Sequence, residues 1–141
     1  MAIKNYTTKV DVFVSIGEIQ ASLARHGARK IIIDYDADAQ PVSVSFAMET
    51  RFGAQGFTLP AMIEGTQEVF AQQRIKADKR QAAMTAWRNI RDWVLAQMAL
   101  VESCSVPVEQ IFLPYLVDNN GRTLYAAYCS GQLALANSDC D

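Results

Sequence analysis

The sequence predicts an α+β fold, with a meander sheet of order β-α-β-β-β covered by a short helix and one long amphipathic helix, and an irregular C-terminal segment. Alternating or continuous apolar segments separated by turn residues indicate the strands. A long run with apolar residues at steps of three and four indicates the covering helix. Of the 141 residues, 50% are hydrophobic and 20% are charged, which is typical of a protein that buries a core. We expect a single domain over residues 1–135 and a frayed tail over 136–141.

The first two elements are expected to be a strand and a helix. Apolar and polar residues alternate from Tyr6 to Val14, which is the pattern of a half-buried strand. Ser15 and Glu18 have the spacing of a capping box, so a helix is expected to start at Ser15. Gly27 tolerates the positive φ that follows a helix end. The apolar face of this helix would carry Ile16, Ile19 and Leu23.

Three further strands should complete the sheet. Ile31 to Ile33 is a β-branched run, and residues 36–41 break it with turn chemistry. Alternation from Val42 to Met48 predicts its hairpin partner. Gly53 to Gly56 is interpreted as the next turn, followed by a short strand from Phe57 to Leu59 that ends at Pro60.

Two helices should follow, one from Thr66 to Gln73 and a longer one from Asp78 to Glu102. The longer helix would extend roughly 37 Å at about 1.5 Å per residue, more than a small sheet needs. Part of its apolar face, including Trp93 and Leu95, is therefore predicted to contact a second copy in a homodimer. Its apolar stripe consists of Ala83, Trp87, Ile90, Val94, Met98 and Val101.

The C-terminal region is expected to pack back on the sheet or on the long helix. Ile111 to Leu116 is apolar and interrupted by Pro114, and residues 118–121 form a strong turn signal. A short amphipathic piece runs from Thr123 to Tyr128.

The sequence favours a protein of the cytoplasm. Its longest apolar stretches fall well short of the roughly 20 residues that cross a bilayer, and its N-terminus lacks the apolar core of a secretory signal. Its three cysteines, Cys104, Cys129 and Cys140, include no C-x-x-C pair. We therefore expect reduced thiols, with neither a disulfide framework nor a zinc site.

Two groups of residues resemble functional sites, but a structural role explains each of them better. Asp34, Asp36 and Asp38 have the spacing that opens a calcium loop, but Ala39 and Ser45 stand where the loop needs glycine and glutamate,. We interpret this segment as a strand end and a turn. His26, the single histidine, is expected to bond the carbonyl end of the first helix, where it is poorly placed as a catalytic base. No enzyme activity, metal or cofactor is predicted.

A basic segment is the candidate surface for a partner or for phosphate. Its only acidic residue is Asp78, and each phosphate that such cations neutralise steepens the salt dependence of binding. A helix, three strands and a lysine-led helix is also the order of double-stranded RNA-binding domains. Here an additional strand and a much longer second helix are expected. The candidate residues are Arg74, Lys76, Lys79, Arg80, Arg88 and Arg91.

Most of the chain, from Asn5 to about Leu124, resembles a family of small accessory proteins of phages and prophages in Gram-positive bacteria. The segments that carry the resemblance are NYTT (5–8), GARKIIIDYDAD (27–38), AWRNIRDWVLAQ (86–97) and EQIFLPY (109–115). The resemblance brings no catalytic residue with it. It implies an accessory role for a phage or prophage inside its bacterial host.

Two functions fit this context. The first is a non-enzymatic protein that binds and inhibits a host antiviral effector such as a CRISPR-Cas nuclease, by occluding its surface. The second is a DNA-binding accessory of phage replication or recombination that uses the basic segment. The net charge of −2 and the small number of exposed aromatic residues expected on the basic helix favour the inhibitor.

Overall fold

Helices packed against an antiparallel sheet form the observed architecture, which confirms the α+β class. The computed structural model describes residues 1–131, so the predicted tail (136–141) lies outside the described residues. The sheet has the order β1-β2-β3. The elements are α1 (Val12–Arg25), β1 (Ala28–Tyr35), β2 (Pro41–Thr50), β3 (Gly53–Pro60), α2 (Ile63–Gln72), α3 (Lys79–Cys104), α4 (Val108–Phe112), a 3₁₀ turn (Leu113–Tyr115) and α5 (Leu124–Cys129).

The predicted N-terminal strand is wrong, because helix α1 begins within it. Asp11 is the N-cap, and its carboxylate accepts from the amide of Phe13. Val12 is buried and lies one helical turn before Ile16, on the same apolar face of α1. Val14, which a strand would have placed on the same side as Val12, is 50% exposed. Ser15 lies inside α1 and is buried, so the predicted capping box does not form. The helix ends as expected before Gly27, whose φ is +107°.

Polar side chains of α3 hold residues 3–10 in place of a strand partner. Gln81 Nε2 donates to the carbonyl of Thr8 at 2.9 Å, and Thr85 Oγ1 donates to the carbonyl of Asn5 at 2.9 Å. These residues are one helical turn apart, so they form one polar row along α3. Backbone groups that a sheet would have satisfied are therefore paired with a helix instead.

Two hairpins join the three strands. The register places Ile31 opposite Phe46, and Phe46 opposite Phe57. The residues between β1 and β2 form a turn, as predicted. Gly53 to Gly56 does not form the predicted turn, because the chain reverses at residues 51–52 and Gly53 already pairs with Thr50. Gly53 has a φ of +98°, a conformation that glycine adopts without steric cost.

The two predicted helices after the sheet are present with small shifts. α2 begins at Ile63, earlier than the predicted Thr66. α3 is capped by Asp78, whose carboxylate accepts from the amide of Gln81 at 2.9 Å. Within the predicted stripe, Ala83, Trp87, Val94 and Met98 are buried. The indole of Trp87 also donates to the carbonyl of Pro41 at 3.1 Å, which joins α3 to the sheet.

The C-terminal region packs back on both the sheet and α3. Phe112 is fully buried, with ring centroids 5.1 Å from Phe46 and 5.6 Å from Trp93. Trp93 also contacts Tyr115, so the indole that was predicted to face a second copy packs within the chain. Leu116 forms a bridge to Phe57 along the outer edge of β3. No helix of residues 1–131 is both long enough and apolar enough to cross a membrane.

Candidate functional site

Arg88 and Arg91, two of the six candidate basic residues, form ion pairs inside the molecule. Arg88 Nη1 lies 3.3 Å from Glu18 Oε2, and Arg91 Nε donates to the same oxygen. Their side chains are 18% and 26% exposed. Both arginines therefore join α3 to α1, and neither is free to meet a phosphate.

A carboxylate network surrounds these arginines. The hydrogen bond from Arg91 holds the pKa of Glu18 below its usual value, against the opposing effect of burial, and the charge of Arg88 adds to the lowering. Burial acts to raise the pKa of Asp92, but hydrogen bonds from Asn5 and Arg91 outweigh it, so that pKa is lowered too. Both carboxylates are therefore held ionised by their partners.

The other four candidate cations lie exposed around the connection between α2 and α3. None of them has an ion-pair partner among residues 1–131. Lys76 lines a shallow hollow together with Lys9, and the hollow beside the start of α3 includes Asp11. Basic and acidic groups thus alternate here. The four exposed residues are Arg74, Lys76, Lys79 and Arg80.

The aspartates of the calcium-like segment bond to the chain itself. Asp36 Oδ1 accepts from the amides of Asp38 and Gln40 at 2.9 and 3.0 Å. Asp34 Oδ2 accepts from the hydroxyl of Ser43 at 3.0 Å. These bonds stabilise the turn between β1 and β2, as the strand-and-turn interpretation predicts.

His26 bonds the end of α1, as predicted. Its Nδ1 donates to the carbonyl of Ser22 at 2.7 Å, and its Nε2 lies 2.6 Å from Glu102 Oε1. Nδ1 thus contacts the end of its own helix, and Nε2 joins the end of α1 to the end of α3. In residues 1–131, no three His, Cys, Asp or Glu side chains are grouped as metal ligands would be. Cys129 is an exposed free thiol, whereas the side chain of Cys104 and all of Cys140 lie outside the description.

An apolar cleft is one of the concave features of the described surface. It opens between the N-terminal segment, the end of β3, α2 and α3, and has a volume of about 420 Å³. Ligand pockets usually measure about 300–1,000 Å³ and are mostly apolar. Met62 stands at its rim with 64% of its surface exposed. Its walls include Ile3, Leu59, Pro60, Val69, Ile90 and Trp93.

One polar group in the cleft wall has a fixed orientation. Asn5 Nδ2 donates to Asp92 Oδ2 at 2.9 Å and to Asn89 Oδ1 at 2.8 Å. Because the ionised Asp92 only accepts, Asn5 must present its amide nitrogen, and Asn89 must turn its oxygen toward Asn5. The Nδ2 of Asn89 has no partner among residues 1–131 and remains a donor in the cleft.

Sequence reasoning missed this cleft because four separated segments build it. Ile90 was interpreted as part of the apolar stripe of a helix, Trp93 as a contact to a second copy, and Pro60 as a strand end. A partial signal existed in Gly65, a glycine inside α2 that leaves the wall of the cleft without a side chain. Comparison of the chain with protein-family models, curated proteins and solved structures gave no match.

Proposed function

We propose that this protein is a non-enzymatic, phage-encoded inhibitor that binds a host antiviral effector, such as a CRISPR-Cas nuclease, in the bacterial cytoplasm. The protein acts by covering a functional surface of the effector. The apolar cleft receives a large apolar side chain of that partner.

The cleft is the observation that carries the proposal. Binding energy in protein interfaces concentrates in a few large side chains that fill pockets surrounded by a rim that excludes water. The cleft offers an apolar depression of suitable size with the exposed Met62 at its rim. Asn89 supplies one donor that would orient the incoming group.

The biological context comes from the resemblance to phage and prophage accessory proteins. A small accessory protein that meets host defences needs a stable fold and a complementary surface, and needs no chemistry of its own. The segment AWRNIRDWVLAQ (86–97), which carries part of the resemblance, also supplies Asn89, Ile90 and Trp93 to the cleft.

Filling the cleft tests the proposal. In Gly65→Leu a new side chain projects from α2 into the cleft, and a Cβ there meets only Met62, at an ordinary 3.8 Å. We expect the wild-type protein to inhibit DNA cleavage by at least one purified CRISPR-Cas nuclease in a panel of several types. A central contact is worth about 2 kcal/mol or more, so Gly65→Leu should raise the inhibition constant roughly thirtyfold.

Gly17→Leu is the matched control. Gly17 is also a helical glycine and has open space around its Cβ position, but it lies on the exposed side of α1, away from the cleft. Its inhibition constant should equal that of the wild type. Failure of the wild-type protein to inhibit any nuclease or to protect phages in strains with defined defence systems would contradict the proposal, as would full potency in Gly65→Leu.

DNA binding is a second candidate, favoured by one observation. Arg74, Lys76, Lys79 and Arg80 are exposed close together at the α2–α3 corner. A phosphate backbone would therefore meet several unpaired cations on one corner.

Titration of fluorescent single- and double-stranded DNA at two salt concentrations tests this candidate. A submicromolar Kd that weakens steeply with salt would support it. Each phosphate contact removed by alanine substitution of the four cations should lower the salt slope by about 0.9 for duplex DNA. Arg25→Ala with Arg29→Ala is the matched control. Weak binding that the four substitutions leave unchanged would exclude this role for the corner.

A further inference from the structure

The outer edge of β1 is the open edge of the sheet. β1 pairs with β2 on one side, and no strand or bridge occupies its other side among residues 1–131. The opposite edge differs, because the amide of Val117 donates to the carbonyl of Gly56 at 2.9 Å alongside β3. An open edge leaves backbone donors and acceptors for another strand.

The exposed residues along this edge carry opposite charges at equal distances from a central isoleucine. Lys30, Ile32 and Asp34 occupy alternate positions opposite Ala47, Ser45 and Ser43 of β2. They therefore lie on one face of the sheet. Lys30 and Asp34 are exposed, and Ile32 is 45% exposed. A positive charge, an isoleucine and a negative charge thus follow one another at equal spacing, with Ile32 in the middle.

We propose that β1 pairs antiparallel with β1 of a second copy of this chain, about a two-fold axis at Ile32, and joins two sheets into one. Each Lys30 then lies opposite the partner's Asp34, so the same ion pair forms twice. Ile32 lies opposite the partner's Ile32. A surface that complements itself in this way is the requirement of a two-fold interface.

The charge pattern selects this register over its neighbours. A shift by one residue places Lys30 opposite the partner's Ile33 or the partner's Tyr35. A shift by two places it opposite the partner's Ile32 or the partner's Asp36, and in the latter case Asp34 lies opposite the partner's Ile32 and loses its charged partner. Only the register centred on Ile32 pairs both charges with opposite charges. Opposite charges across an antiparallel pair stabilise it, and like charges destabilise it.

The pairing also covers apolar surface that the single chain leaves open. Ile31 and Ile33 pack against the core but remain half-buried at the sheet edge. In the proposed register Ile31 lies opposite the partner's Ile33 on the core-facing side. The two cores then meet along the joined strands, which adds hydrophobic burial to the new ladder of backbone hydrogen bonds.

Charge exchange between two variants of the full chain tests the proposal. The wild type should show a monomer–dimer equilibrium in sedimentation. Lys30→Asp and Asp34→Lys each create two like-charge contacts, so each should raise the dimer Kd roughly tenfold or more. An equimolar mixture of the two variants should form a heterodimer, because both contacts become attractive. Asp38→Lys makes the same charge change in the adjacent turn and should dimerise as the wild type does.

Hydrogen exchange supplies an independent readout. The amides of residues 29–35 that point away from β2 should gain protection as the protein concentration rises through the dimer Kd, whereas those bonded to β2 are protected throughout,. A wild type that stays monomeric at millimolar concentration would overturn the proposal. So would dimerisation that both charge variants retain, or failure of their mixture to associate. Protection of the amides that point away from β2 at every concentration would show that another segment of the same chain occupies the edge.

Discussion

At the scale of single residues, Glu18 joins α1 to α3 through ion pairs with two arginines. It lies between Arg88 and Arg91, and Arg91 also bonds Asp92 at 3.0 Å. Each neighbour lowers the pKa of the carboxylate that it faces. In the sequence the six candidate basic residues could not be told apart. The ion pairs with Glu18 separate Arg88 and Arg91 from the four candidates that are exposed.

We expect the stability of the protein to fall in acid through Glu18 and Asp92. A lowered pKa in the folded state means that the ionised form contributes stability above the unfolded pKa, about 4.3 for Glu and 3.9 for Asp. That contribution is lost as the pH falls through the lower, folded pKa. Urea unfolding between pH 6 and pH 3 should therefore show a decline, and Glu18→Gln should make it shallower.

Glu68→Gln is the control for this prediction, since Glu68 is exposed and has no ion-pair partner among residues 1–131. Its free energy of unfolding should follow the wild-type pH curve. If Glu18→Gln followed the same curve as well, the ion pairs of Glu18 would contribute nothing to stability.

At the scale of elements, sequence patterns were sufficient where neighbours along the chain decide the structure. β1, β2 and α3 were predicted because alternation and helical spacing reflect which side of a local segment is buried. Residues 3–10 were not, because their backbone partners are Gln81 and Thr85, more than 70 positions away. The cleft was missed for the same reason.

The start of α1 gives a prediction at this scale. Asp11 accepts from the amide of Phe13 as the N-cap, so Asp11→Ala should destabilise the protein by about 0.5–2 kcal/mol. Asp11→Asn keeps a side-chain acceptor and should lose much less. Chemical unfolding followed by circular dichroism measures both. Equal loss in both variants would indicate that the carboxylate charge matters and the cap does not.

At the scale of the whole molecule, one aromatic cluster unites the sheet, α3 and the C-terminal region. Phe112 lies at its centre, and its ring centroid is 5.9 Å from that of Phe57. Together with Trp93, these rings bring residues from the middle and the end of the chain into one core. The C-terminal region is therefore part of the folded body and also closes the outer edge of β3.

Phe112→Ala should remove the centre of this core. Truncation of a buried phenylalanine costs about 3–5 kcal/mol, and the region after α3 should become sensitive to limited proteolysis. Leu113→Ala, at a neighbouring residue that is 45% exposed, is the control and should change little. A loss of stability without new cleavage in residues 105–112 would mean that the C-terminal region does not detach on its own.

The way α3 and the end of α2 hold the N-terminal segment has a consequence for synthesis on the ribosome. Ile3 bonds Gln73, and Asn5 bonds Asp92, across separations of 70 and 87 positions. At about 5–20 residues added per second, the first residues wait on the order of ten seconds for these partners. The hairpins of the sheet are complete earlier, so the nascent chain carries an unsupported sheet and an unattached segment around residues 3–5 until α3 emerges.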